Sequence, residues 1–112
     1  MNVSAETMTA ILNALSVAKK AVTLRRELAE AWYEADEDRR YHWHLKLDES
    51  VTDEALHEAF ELAETSRERA MKLEEETAEA EASFNEAVKA IDINALIASY
   101  WQEQLDAACC NC

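Results

Sequence analysis

From Ser4 onward apolar residues return every three or four positions, the period of an amphipathic helix, and no Gly or Pro interrupts the chain. One pattern occurs three times: an apolar residue, a Ser, Thr or Asp beside it, and a second apolar residue four positions later. It reads Val3-Ser4 then Met8, Val51-Thr52 then Leu56, and Ile91-Asp92 then Leu96. This is the grammar of a capped helix start closed by a hydrophobic staple. Asp53 and Glu54 place negative charge in the first turn of the second helix, where the macrodipole favours it. The pattern predicts helices at about 4–38, 52–90 and 92–109, with only Asp92 separating the last two.

The second helix has the clearest seam. Leu56, Ala63, Ala70, Thr77, Phe84 and Ile91 recur every seven residues, and Ala59, Ser66, Leu73, Ala80 and Ala87 fill the complementary heptad position. Such a line makes a coiled-coil-like packing edge, and its small residues let two helices approach closely. In the first helix Met8, Leu12, Leu15, Val22, Ala29 and Trp32 supply the expected matching stripe, broadened by Ile11, Ala18 and Leu28. The third contributes Ile93, Leu96, Ile97, Tyr100, Trp101 and Leu105. The expected fold is all-α: one domain over residues 1–112, a long antiparallel helical hairpin with a shorter third helix, a three-helix bundle. So much seam on a thin hairpin also fits a homodimer.

One stretch breaks the period. In YHWHLKLD, residues 41–48, apolar Tyr41, Trp43, Leu45 and Leu47 alternate with His42, His44, Lys46 and Asp48, the repeat of a strand with one face buried. Charged positions at Asp36 and Arg39 fall where the seam would continue, so the first helix is expected to stop there. An extended connector at about 41–48 follows from that reading. Tyr41, Trp43 and Leu45 would then either plug the bundle end against Phe60 and Leu56 or expose a strand edge for pairing. Two Trp and two Tyr fall within residues 32–43, which favours the interface.

Ala and Glu dominate the composition, as in long, closely packed helices. The net charge is -13, and it lies entirely in the second half. Residues 1–47 carry seven basic and seven acidic side chains, residues 48–91 fourteen acidic and four basic, and residues 92–112 three acidic and no basic. Such a chain repels nucleic acid and anionic lipid and is complemented by a basic protein surface. No apolar run is long enough to span a membrane. The N-terminal stretch has no basic start followed by a small-residue cleavage site, so the expected setting is cytoplasmic, with Cys109, Cys110 and Cys112 as thiols in a frayed tail.

Candidate chemistry is sparse. His42 and His44 would point the same way in an extended segment, with His57 as the only nearby third ligand, but solvated polar positions are the better account. The CCNC cluster lacks the second ligand pair of a zinc site. There is no phosphate loop, nucleophile elbow or paired Glu and His of a bundle metal site, so no cofactor, metal or catalysis is expected.

The strongest signal is a stripe on the second helix. Glu54, Glu58, Glu61, Glu64, Glu68, Glu75, Glu79 and Glu86 fall within about 120° on the helical wheel and run about 48 Å along the axis, opposite the seam. Lys72 is the only base inside it. Like charges at i,i+4 weaken a helix, so the stripe serves either solubility or a basic partner. In size, helicity and charge the chain is similar to small acidic accessory proteins of phages and mobile elements, although no residue motif assigns it to a family. The expected function is an inhibitor or adaptor that docks on a basic surface of a nucleic-acid-processing protein, in the extreme as a DNA mimic. It would use the glutamate stripe together with Tyr41, Trp43 and Leu45. The alternative is a helical scaffold or dedicated chaperone that holds its partner through the Ala-rich seam.

Overall fold

The computed structural model describes residues 4–110. The protein is all-α: α1 runs Ala5–Lys46, α2 Asp53–Lys89 and α3 Ile93–Cys110, a long antiparallel hairpin followed by a shorter third helix. Each helix opens as its capping residue dictates. Ser4 Oγ accepts from the Thr7 backbone N–H at 3.1 Å, Thr52 Oγ1 from that of Ala55 at 3.2 Å, and Asp92 Oδ1 from that of Ala95 at 2.9 Å. Each bond satisfies a donor that the first helical turn would otherwise leave open. Val3, the first staple residue, lies outside the described residues. Between α1 and α2 the turn is fixed by Asp48, whose Oδ1 accepts from the Ser50 backbone N–H at 2.9 Å and hydroxyl at 2.6 Å.

The chain falls into two compact units. One is Lys20–Ala80, the tip of the hairpin. There α1 and α2 run antiparallel: Glu34 pairs with Arg69, Asp38 accepts from Ser66, and His42 meets Phe60 in a tilted ring contact, so partners descend on one helix as they rise on the other. The other unit joins the residues up to Lys19 to those from Glu81 onward, and so holds the start of α1, the end of α2 and α3.

The α2 seam lies where its heptads place it. Ala59, Ala70, Thr77, Ala80 and Ala87 are buried, and Leu56, Ala63, Ser66, Leu73, Phe84 and Ile91 are half-buried. The face that α1 turns inward differs from the expected one. Its buried line is Ala14, Leu28, Ala31 and Ala35, continued by the half-buried Val17, Ala21, Leu24, Asp38, His42 and Leu45. Of the expected stripe Met8, Leu12, Leu15, Val22, Ala29 and Trp32 are exposed, while its broadening residues Leu28, Ile11 and Ala18 are buried or half-buried. The cause is size. An alanine-lined α2 admits a close neighbour, and α1 offers alanines on one face and bulky residues on the next. Among the described residues seven of the eight buried apolar side chains are alanine, so the core is narrow and the large side chains stay outside it. On α3 only Leu96 of the expected apolar set is half-buried, while Ile93, Ile97, Tyr100, Trp101 and Leu105 are exposed.

The extended connector at 41–48 is replaced by helix: α1 continues to Lys46. Two features carry it through the charged stretch. Asp36 accepts from Arg39 at 2.8 Å and pairs with Arg40 at 3.0 Å, supporting the helix at i+3 and i+4. Asp38, the acid that faces α2, accepts the hydroxyl of Ser66. The alternation of 41–48 is therefore a coincidence of helical faces. His42 and Leu45, three apart, face the seam, and Tyr41 and Trp43 project outward.

Cys109 and Cys110 belong to the last turn of α3 and not to a frayed tail; Cys112 lies outside the described residues.

Candidate interaction surfaces

The outer face of α2 is acidic. Glu54, Glu58, Glu61, Glu68, Glu75, Glu79 and Glu86 are exposed, and Glu64 is half-buried beside the seam. Glu61 pairs with His57 at 3.1 Å and Glu86 with Lys89 at 3.1 Å, both within α2. The other six make no ion pair among the described residues. A helix rises about 1.5 Å per residue, so Glu54 to Glu79 forms a line of carboxylates about 37 Å long within the Lys20–Ala80 unit. Arg39 and Arg40 of α1 are engaged by Asp36, and Arg69 of α2 bonds across to Glu34 of α1.

The aromatic cluster of the same unit is divided by the helix. Tyr41 is 54% and Trp43 55% exposed, with the Lys46 ammonium 5.0 Å from the Trp43 ring centre, a cation–π contact. Two residues apart on a helix lie about 200° from each other, so Tyr41 and Trp43 do not share one face, and Leu45 is half-buried against the hairpin. No strand edge exists here among the described residues. The same rotation separates His42 from His44. His42 lies 5.5 Å from the Phe60 ring, His57 is taken by Glu61, and among the described residues no group of three His, Cys, Asp or Glu could hold a metal ion.

A groove of about 470 Å³ lies along one flank of the hairpin, lined by Trp32, Ala35, Asp36, Arg39, Ala63, Glu64 and Arg67. It is open and carries charges of both signs, with Trp32 as its apolar wall. No Ser, Thr or Cys lines it.

Two further surfaces are made of residues expected to pack within the bundle. On α1, Met8, Leu12 and Leu15 project outward, 46%, 58% and 55% exposed. On α3 the arrangement is inverted for a bundle helix. Leu96, Ser99 and Glu103 form the half-buried line, while Ile93, Ile97, Tyr100, Trp101 and Leu105 form a stripe at i, i+4, i+7, i+8 and i+12 that is 48–60% exposed. Helical spacing marks such a stripe in the sequence, but it does not say which way the helix turns it. No described helix is long and apolar enough to cross a membrane. No family model, curated protein or solved structure matches this chain.

Proposed function

We propose that this chain is a non-catalytic interaction protein, an inhibitor or adaptor that lays the acidic face of α2 on a basic protein surface. A nucleic-acid-processing protein, whose working surface is basic by necessity, is the class of target that fits. The observation behind this reading is the six glutamates of α2 that make no ion pair among the described residues. Unpaired like charges in a row weaken the helix that carries them, and an external cationic surface compensates that loss. The setting is the cytoplasm, where the exposed Cys109 remains a thiol. The working form is a homodimer, because a core built almost wholly of alanine leaves the large apolar residues to be covered from outside.

The test is affinity capture from native-host lysate at low and at high salt, beside a variant with Glu58, Glu61, Glu68 and Glu75 changed to Gln. A basic nucleic-acid-handling protein that is retained at low salt, released at high salt and lost by the variant supports the reading, because screening shortens exposed charge interactions to about 8 Å at physiological salt. A main partner that binds the variant as well as wild type overturns it.

The alternative is a scaffold or chaperone that grips its partner through the α2 seam, whose Ala59, Ala70 and Ala80 are buried in the hairpin. Apolar docking survives as a second reading through the outward faces of α1 and α3. Capture that persists at high salt would favour it.

A further inference from the structure

The stripe on α3 and the stripe at the start of α1 lie in the same compact unit, and they match. Met8, Leu12 and Leu15 follow i, i+4, i+7; so do Ile93, Ile97 and Tyr100. Aligned in parallel, Ile93 meets Met8, Ile97 meets Leu12 and Tyr100 meets Leu15. One turn further on, the α1 stripe ends in the exposed Lys19, which the same alignment sets against the exposed Gln104 of α3. The α3 helix carries no basic residue, so no like charge on α3 opposes Lys19.

Within one chain they do not cover each other, for all eight large apolar residues are between 46% and 60% exposed. The area they leave open is on the order of 900 Å², above the roughly 800 Å² that one partner contributes to a standard interface. A monomer seldom tolerates this much exposed apolar surface. We infer that a second copy of this chain covers it, with α3 of each copy seated on the Met8–Leu15 face of α1 of the other. A twofold axis makes both contacts at once, which closes the assembly at two chains. With no basic residue on α3 and a net charge of -13, an anionic lipid surface is disfavoured as the occupant. The inference rests on the homodimeric form proposed above and is independent of the acidic face of α2.

The experiment is sedimentation velocity of the full chain under reducing conditions, from about 1 to 100 µM, a span that brackets micromolar association. Wild type is expected to sediment as a dimer over most of that range, with a red shift of tryptophan emission on dilution as Trp101 becomes wet. Ile97→Asp and Leu12→Asp should each raise the dissociation constant about a hundredfold, the scale of a lost central anchor, with unchanged far-ultraviolet circular dichroism. Leu47→Asp, at a residue 79% exposed in the other unit, should leave the dimer intact. Should either aspartate variant lose helicity, Ile97→Ala and Leu12→Ala replace them, with weakening of about tenfold. A wild type that is monomeric at 100 µM overturns the inference, as does a dimer indifferent to Ile97 and Leu12. Salt-sensitive capture of a basic partner by a monomeric chain would sink the dimer and leave the acidic face standing.

Discussion

Ser66 of α2 donates its hydroxyl to the carboxylate of Asp38 on α1, the hydrogen bond that lets an acid sit in the hairpin seam. Asp38 is half-buried, where an unpartnered carboxylate is costly, so the bond sets whether α1 can pass this point against α2. Removing the donor while keeping the acid should therefore hurt more than removing both. Ser66→Ala is expected to cost about 1 kcal/mol by urea denaturation, and Ser66→Ala with Asp38→Leu to recover most of it. Equal stability of Ser66→Ala and wild type would show that water serves Asp38 as well as Ser66 does.

The seam is narrow as well as polar at that point. Ala70 is fully buried and Thr77 is 2% exposed, its hydroxyl returned to the Leu73 carbonyl at 2.7 Å. A larger residue at Ala70 must push the helices apart. Ala70→Leu should destabilise by about 1–3 kcal/mol despite adding apolar surface. Thermal unfolding reads the effect directly, and a raised melting temperature would mean that the seam holds unfilled space.

The fold was legible wherever one signal dominated. All three caps, Ser4, Thr52 and Asp92, could be read from a residue type and its neighbours, and the heptads of α2 gave its seam because both lines consist of small or apolar residues. On α1 two apolar faces compete. The larger side chains, Met8, Leu12, Leu15 and Trp32, suggest the core, yet the alanines at 14, 31 and 35 occupy it, because an alanine seam on α2 selects a partner that can come close. That choice depends on two helices at once and is invisible to the periodicity of either. The acidic face followed from rotation alone, so each glutamate lies where the wheel puts it. Tyr41 and Trp43 did not, since a period of two over eight residues also arises when a helix carries aromatics on both sides of its buried line.

The turn between α1 and α2 offers a pH handle. The hydroxyl of Ser50, and then its backbone N–H, donate to Asp48 and hold that carboxyl below its usual range, with a smaller contribution from His44. A carboxyl depressed in the folded state stabilises the fold above its unfolded value, and the contribution is lost as pH falls through the folded value. Asp48 should thus titrate at lower pH than a free aspartate when followed by carbonyl NMR, and Ser50→Ala should move it up toward the ordinary range. An unmoved titration would assign the shift to something other than Ser50.

The continuation of α1 through residues 41–46 has a direct chemical consequence. Tyr41 is an interior position of α1, so its N–H belongs to the helical ladder and its φ and ring space are fixed by the preceding turn. A proline there removes the bond and clashes with the carbonyl four residues back, at about 3 kcal/mol or more. An extended connector would accept the same proline readily, because it sits well in edge and turn conformations. Trp43→Ala provides the contrast. Its side chain is 55% exposed and touches little beyond the Lys46 ammonium, so its loss should cost under about 1 kcal/mol. A large loss of stability and helicity for Tyr41→Pro, with a small one for Trp43→Ala, is the signature of an unbroken helix. Near-wild-type stability of Tyr41→Pro would mean that α1 ends before residue 41 and that the strand-like reading of YHWHLKLD was right.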